Sequence, residues 1–311
     1  WVLTAHHADD QAETVLLQLL RGAGVAGLAA MPQCKAFGCG LLLRPLLGVS
    51  RQQLESVAKL LELQWIEDHS NADVRFDRNY LRHRVLPLLN ERWPAAATAL
   101  ARSAAHAAEA SELLQEVAAR DIPLHGNTLS VSQLQSLSTQ RQSNALRQWI
   151  SSHGYTAPST AKLQHLVKDL VLASNDARGC VAFGDTQIRR HTGYLYLGNH
   201  QSFAISDAFS HVWPSREQPL MIPETGQTLV ADDLPLPWVP VDEPLMVRSR
   251  QGGEKIRLST QPYRQAVKSL LQQQGLPPWQ RCRLPFIWRG DELLGIVGVG
   301  FIAPPASSGA S

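Results

Sequence analysis

The stretch Trp1-Val2-Leu3-Thr4-Ala5-His6-His7-Ala8-Asp9-Asp10-Gln11-Ala12-Glu13-Thr14 decides the fold class. Residues 1–5 form a short apolar run with Val, Leu and Thr, the composition of a strand buried in a parallel sheet. Beyond the two histidines, Val15, Leu16, Leu19 and Leu20 recur at helical spacing, which predicts a helix starting near Asp9. Asp10 and Glu13 are i,i+3 neighbours on that helix and share a face. A strand passing straight into a helix puts this pair at the carboxyl end of the strand, where open α/β sheets bind ligands. Two readings of the pair stand side by side. Two carboxylates can hold a cationic substrate or orient an amine nucleophile. Alternatively, Asp-x-x-Glu resembles a capping box, and acids at a helix start are favoured by the helix dipole. Two His and two Asp in close sequence would also suit a metal, but no second cluster with ligand spacing follows, so no metal site is expected.

Working outward, Arg21-Gly22-Ala23-Gly24-Val25-Ala26-Gly27 contains a literal G-x-G-x-x-G. It follows a helix rather than a strand, which excludes the dinucleotide fingerprint. It reads either as a helix C-cap or as a loop whose backbone can approach a ligand, with Arg21 beside it to meet a phosphate. Leu41 to Leu43 predict a strand closed by Arg44-Pro45, and Ser50 caps a helix running through Leu54, Val57, Leu60 and Leu61. Trp65-Ile66 predicts another short strand. A basic helix is expected from about Arg78 to Leu89, with Arg78 and Arg82 on one face. Together with Arg75 and Arg84 they form a patch suited to polyphosphate or an RNA backbone, or else a solvated face paired with Glu67, Asp68 and Asp77. Strands alternating with helices predict an α/β layer over 1–95.

After Pro94 the composition changes. Residues 95–120 predict a long helix by propensity, and helices follow near 132–151 and 159–173. Val181-Ala182-Phe183, Gln187 to Arg190 and Tyr194 to Leu197, separated by Gly184-Asp185 and Thr192-Gly193, predict an antiparallel meander. A helical and α+β middle domain is therefore expected over 96–212. The Pro-rich stretch 213–244 reads as a linker or irregular edge. A small α+β domain follows over 245–303, with one helix at 264–274 and an apolar strand from Leu293 to Ile302; the tail 304–311 is expected to be disordered.

With 44% hydrophobic and 18% charged residues the chain has the composition of a globular protein, and its length calls for two or three domains. No apolar run reaches the length of a membrane span, so no membrane partner is expected. Cys34, Cys39, Cys180 and Cys282 fit neither a zinc site nor a disulfide framework, which suggests reduced thiols in the cytoplasm. The net charge is only +2, so a nucleic-acid surface has to be local. One such patch is present. Arg248, Arg250, Lys255, Arg257, Arg264, Lys268, Arg281, Arg283 and Arg289 are basic, Glu254 is the only acid between 248 and 289, and Tyr263, Trp279 and Trp288 are interleaved. That is the footprint of an RNA-binding module, against the alternative of a solvated basic surface.

In their order these motifs resemble the tRNA(Ile)-lysidine synthase family. The likeness rests on His6-His7-x-Asp9-Asp10-Gln11-x-Glu13-Thr14, then Arg21-Gly22-x-Gly24-x-x-Gly27-Leu28, Arg44-Pro45-Leu46, Asp68-x-Ser70-Asn71 and Arg78-Asn79-x-x-Arg82-x-x-x-x-Pro87. It resumes at Gly252-Gly253-Glu254, Arg264 to Leu271 and Gly275-Leu276-Pro277-Pro278-Trp279-x-Arg281. The resemblance is strong over 1–95 and 245–302 and similar only in layout between them. It implies a PP-loop nucleotide domain that uses ATP, with magnesium, to adenylate the 2-position of the wobble cytidine in a CAU-anticodon isoleucine tRNA. The ε-amine of free L-lysine then displaces AMP. It further implies catalytic roles for Asp10, Glu13 and Arg82. His7, Arg21, Gly22, Arg78 and Asn79 become substrate-binding residues, and the C-terminal basic residues bind tRNA. A homodimer remains open.

The sequence departs from the family pattern in one respect. The Ser-Gly-Gly-x-Asp-Ser loop that grips pyrophosphate does not occur in the 311 residues, and Trp1 to Ala5 reads as a strand end. The expectation is a partial parallel-sheet domain whose earlier half precedes residue 1, and a polypeptide inactive by itself. The alternatives are another PP-loop tRNA-modifying enzyme such as a thiolase, for which Cys34 and Cys39 are the only close pair, and a non-catalytic tRNA-binding protein.

Overall fold

The computed structural model describes residues 1–66, 73–124, 126–174, 179–261 and 263–304. Its contacts divide the chain into two compact units, Trp1–Asp121 and Ile122–Ser311.

In the first unit, β1 (Val2–Leu3) pairs in parallel with β3 (Gly40–Leu43), and β2 (Cys34–Phe37) pairs antiparallel with β3, giving the order β1-β3-β2. The parallel pairing matches the reading of residues 1–5 and 41–43, but the strand is only Val2–Leu3 and both residues are exposed rather than buried. The β2–β3 hairpin was not expected, because Cys34-Lys35-Ala36-Phe37 is exposed throughout and lacks an alternating apolar face. Its turn bends at Gly38, whose φ is +57°. From β1 the chain enters α1 (Ala8–Leu20), and Gly22 closes that helix at φ +70°. A short α2 (Val25–Leu28) precedes the hairpin. Ser50 caps α3 (Arg51–Leu60) as predicted: its Oγ accepts the Gln53 amide at 3.2 Å, and the Gln53 Oε1 accepts the Ser50 amide at 2.9 Å.

Trp65 and Ile66 do not form the expected strand. The chain leaves α3 through Glu62 at φ +49°, and Ile66 is 96% exposed with no pairing neighbour among the described residues. The basic helix is continuous from 77 to 92 but not uniform: α4 (Asp77–Tyr80) runs through a π turn, Leu81–Val85, into α5 (Leu86–Arg92). The long helix α6 (Ala96–Asp121) packs on α1 and α2, so it belongs to the first unit rather than to the middle segment expected to begin at 96.

The second unit opens with β4 (Thr128–Ser130), α7 (Val131–Gln135), α8 (Thr139–Ser152) and α9 (Thr160–Leu166), the last extended by a π turn to Val171. The predicted helix 132–151 is two helices, because Ser136-Leu137-Ser138 interrupts it and Ser138 starts the second in extended backbone. The meander forms as predicted from β5 (Cys180–Phe183), β6 (Thr186–His191) and β7 (Tyr194–Asn199), in the order β4-β7-β6-β5. Its inner face, with Ile188 and Leu195, meets Leu134, Trp149, Ile150, Leu163 and Leu170 in one apolar cluster.

Beyond it, β8 (Ser210–Trp213), β9 (Leu220–Ile222), β10 (Gln227–Leu229), β11 (Leu245–Arg248), β12 (Lys255–Ile256) and β13 (Gln265–Ala266) precede α10 (Val267–Gln273) and α11 (Pro278–Arg281). The chain ends in β14 (Phe286–Arg289), β15 (Glu292–Ile296) and β16 (Gly300–Phe301). Five strands form an antiparallel sheet in the order β16-β15-β14-β11-β8. The stretch 213–244 is therefore no linker. Trp213 pairs with Leu245, and Ile222, Leu229, Leu234, Leu236 and Val239 pack into the core beneath that sheet. Its prolines lie between strands, where they break no ladder bond. Arg264-Gln265-Ala266 forms a strand entry instead of the first turn of the predicted helix 264–274. The predicted strand 293–302 is a hairpin bent at Gly298, with φ +78°. No helix of the described residues is long and apolar enough to cross a membrane. The expectation for the tail falls, from residue 305 on, outside the described residues, as do those for Glu67, Asp68, Ser70 and Asn71.

Candidate active site

The carboxyl end of β1 turns at His6 and His7 into the N-terminus of α1. Ala8 donates its amide to Val49 O at 2.9 Å, fixing the start of the helix beside the entry to α3. Asp9 strengthens that junction, since its Oδ2 accepts the Arg51 backbone amide at 2.8 Å. The neighbouring His7 ring, foremost, and the Arg51 amide hold the Asp9 carboxyl below its ordinary range.

The capping box forms one turn earlier than Asp-x-x-Glu suggests: His7 is the cap of α1 and Asp10 its third residue, while Glu13 makes no capping contact. Asp10 Oδ2 accepts the His7 amide at 3.0 Å, a capping contact, while Asp10 Oδ1 accepts Arg82 Nη2 at 2.8 Å. One turn on, the Glu13 side chain is 1% exposed. Its Oε1 accepts Arg82 Nε at 2.6 Å, and its Oε2 accepts Arg82 Nη2 at 2.9 Å and Arg78 Nε at 3.0 Å. Arg78 also donates to Thr14 Oγ1 at 3.0 Å, and that hydroxyl in turn donates to Asp10 O at 2.8 Å. The result is a four-charge cluster of Asp10, Glu13, Arg78 and Arg82, with the forked Arg82–Glu13 contact at its centre. Glu13 holds the Arg82 guanidinium above its ordinary range. The arginines are the more open members: Arg82 is 21% and Arg78 41% exposed by side chain. A cavity of about 370 Å³ opens beside the cluster, lined by His7, Asp9, Glu13 and Arg82 together with Arg51, Glu55 and His83. That volume suits a small molecule.

Of the residues picked out from sequence, Asp10, Glu13, Arg78, Arg82 and His7 come together. Asn79 lies beside them but turns to the backbone, donating to Asp73 O at 2.9 Å. Arg75 pairs with Asp73 at 2.7 Å and Arg84 is exposed, so the expected four-arginine patch divides, two turned onto α1 and two away from it. Arg21 and Gly22 lie at the far end of α1, exposed and roughly 20 Å of helix from His7. Arg51, Glu55 and His83 were missed: neither a backbone amide 42 residues from its carboxylate nor the lining of a cavity leaves a local motif.

The donor set does not suit magnesium. Asp10 and Glu13 already accept from two arginines, and the described residues hold no group of three or more His, Cys, Asp or Glu arranged around a common point. In the second unit the basic residues divide into groups. The Arg248 guanidinium stacks over Trp288 at 5.3 Å. Arg250 lies 3.7 Å from Glu254, and Arg281 donates to Leu276 O at 2.6 Å. Arg283 donates to Gln201 O, and Lys268 is exposed on α10. Lys255, Arg257 and Arg264 line one cavity together with Arg289. Cys34 and Cys39 are exposed free thiols on and beside β2.

A parallel strand pair feeding a helix whose first turns carry this charge cluster is the layout of a ligand-binding α/β layer, and the matching family model makes it one of the PP-loop class. Residues 1–89 match the family model of the ATP-binding PP-loop domain, 129–196 that of the TilS substrate binding domain, and 245–309 that of the TilS substrate C-terminal domain. The chain is 41% identical over 302 residues to a tRNA(Ile)-lysidine synthase of Coxiella burnetii, covering 96% of this chain and 67% of that protein. It is 42% identical over 305 residues to one of Serratia proteamaculans, and 38% over 301 residues to one of Legionella pneumophila, each covering 96% of this chain and 69% of the relative. The chain belongs to the tRNA(Ile)-lysidine synthase family.

Proposed function

We propose that this chain acts in lysidine formation: it binds free L-lysine and the wobble cytidine of a CAU-anticodon isoleucine tRNA and joins them at the expense of ATP. The observation that carries the reading is the Asp10–Glu13–Arg78–Arg82 cluster at the carboxyl end of β1, in a chain whose relatives are named for this reaction. The 2-oxygen of the cytidine attacks the α-phosphate of ATP and pyrophosphate leaves. The ε-amine of lysine then attacks C2, and AMP departs with the C–O bonding pair. No enzyme nucleophile is needed, so the protein contributes position and charge.

The two carboxylates divide that work. Glu13 is fully enclosed and accepts three arginine N–H groups, so it serves to aim Arg82 and Arg78. Asp10 is the more open, and Oδ1 has one lone pair beyond its bond to Arg82, enough to accept the ε-ammonium and orient it as it loses its proton. The part-exposed guanidiniums face the negative charge that collects on AMP. Magnesium would arrive with the ATP phosphates rather than on protein ligands. The basic residues of 245–303 hold the tRNA body. Four unpaired thiols suit a cytoplasmic setting. The exposed Leu60, Leu61, Leu63 and Ile66 suit the contact of a homodimer, and sedimentation velocity at micromolar concentration tests it.

The deciding experiment incubates the protein with ATP, labelled lysine and a CAU-anticodon tRNA transcript, then repeats it with Asp10→Ala and Arg82→Ala. Labelled tRNA, reduced about 10²–10³-fold in both variants, is the expected result. Full activity in Asp10→Ala would return that residue to helix capping alone. No labelled tRNA from the wild type would remove the reading.

A further inference from the structure

The cationic residues of the C-terminal domain do not form an even coat. Lys255 and Arg257 flank the buried Ile256 on β12, so strand alternation turns both to the same side. Arg264 reaches them from the partner strand: β13 pairs Ala266 with Lys255, and Arg264 Nε donates to Lys255 O at 3.3 Å. Arg289, at the end of β14, completes the group. These four side chains line a cavity of about 510 Å³ that Trp238 and Ile302 also border, with the buried Ile256 and Leu293 behind them.

The acids nearby leave most of this charge unopposed. Glu254, the only acid between 248 and 289, is folded into its own loop with 5% of its side chain exposed, accepting the amides of Gln251 at 2.5 Å and Gly252 at 2.7 Å. Glu292 is the one acid lining the cavity, and it is bonded to Arg289 at 2.8 Å. Lys255, Arg257 and Arg264 thus converge on one hollow with an aromatic and aliphatic border.

Contacts to the backbone of an RNA duplex need cations spread over an open surface. A concave site of this volume with three clustered cations and an apolar border suits one nucleotide, its phosphate on the cations and its base on that border. We propose that the cavity is a nucleotide pocket and that it captures an unpaired nucleotide of the bound tRNA, with the phosphate across Lys255, Arg257 and Arg264 and the base against Trp238 and Ile302. This rests on the tRNA-modifying reading above and adds a second point of attachment distant in sequence from the charge cluster of α1.

The probe is uridine 5′-monophosphate, which is neither the adenine nor the cytidine substrate, titrated into isotope-labelled full chain and followed by NMR, with inorganic phosphate and uridine in parallel. Resonance changes at Lys255–Arg257, Arg264 and Ile302, binding about tenfold or more tighter than phosphate, and displacement by tRNA are expected. Lys255→Gln with Arg257→Gln, both exposed and remote from the core, should abolish uridine monophosphate binding and lower the log–log salt slope of tRNA binding by about two. Lys35→Gln with Lys59→Gln, which removes the same charge elsewhere, should change neither. Binding of uridine monophosphate no tighter than phosphate would overturn the base contact. Binding that tRNA does not displace would assign the cavity to a free mononucleotide instead. Equal loss of tRNA affinity in both double variants would reduce the pocket to diffuse charge. Lysidine formation by the wild type, assayed alongside, separates these failures from failure of the parent reading: labelled tRNA without uridine monophosphate binding removes only the pocket.

Discussion

Glu13 holds two guanidiniums with one carboxylate, and its loss leaves both without their shared partner. Glu13→Ala should destabilise the first unit by about 2–3 kcal/mol, below the value for a fully buried pair because both arginines reach solvent. Urea unfolding followed by a probe in that unit measures it, and a loss under about 0.5 kcal/mol would mean the cluster is ornamental to the fold. The sequence made Asp10, Glu13, Arg78 and Arg82 legible because each pair sits at helical spacing. It did not reveal that the pairs bond to each other across 65 to 72 residues, nor that Asp10 caps and contacts Arg82 at once. Asp9 brings a pH dependence. Its carboxyl is held below its ordinary value of 3.8, so the stability it contributes is fully present above that value and is lost as pH falls through the lowered one. The stability gap between wild type and Asp9→Asn should therefore be flat from pH 5 to 8, about that range, and close only below roughly pH 4. A gap that closes well above about pH 5 would mean that the Asp9 carboxyl is not its source.

Among the elements, the π turn Leu81–Val85 is the least predictable from spacing and the most informative. Leu81 and Leu86 are both buried though five residues apart, a separation that on a regular α-helix would put them on different faces. The wider turn brings them to one side while Arg78 and Arg82 keep their bonds to Glu13 and Asp10 of α1. Deleting the exposed Arg84 should restore α-helical spacing between the two leucines at a loss of about 1 kcal/mol or less, whereas His83→Pro should lose about 3 kcal/mol. Thermal melts of the two variants decide it, and equal destabilisation would mean the extra residue has no packing role. The meander of 180–199 was readable because apolar alternation and glycine turns agree there. The stretch 213–244 was misread because its prolines resemble a linker, while Ile222, Leu229 and Val239 are too scattered to show a period. Trp213 tests that correction. It is buried in the sheet core and donates Nε1 to Gln218 O at 2.8 Å, so Trp213→Ala should lose about 3–5 kcal/mol by urea unfolding, where a linker residue would lose almost nothing.

Across the whole molecule, apolar burial is uneven. The three contiguous hydrophobic clusters of the described residues all lie in the second unit. The first leaves Leu19, Leu20, Phe37, Val57, Leu60 and Trp65 exposed. Amide hydrogen exchange should accordingly be slowest at Trp149–Ile150, Leu195–Leu197 and Phe286–Ile287 and faster throughout α3. Comparable protection in α3 would overturn that ranking. The alternation of strands and helices in the first unit and the meander of the second were legible from periodicity. The place of α6 was not, because Ala-rich helices give no sign of the neighbour they pack on.

The same asymmetry has a consequence in time. Translation runs towards the C-terminus, so the apolar-faced unit leaves the ribosome ahead of the 190 residues of the well-cored unit. At about 5–20 residues per second that interval lasts roughly 10–40 s, long enough for sticky nascent surface to meet its neighbours on a polysome. The yield of soluble protein should depend on holdase chaperones during synthesis far more than on the stability of the finished chain.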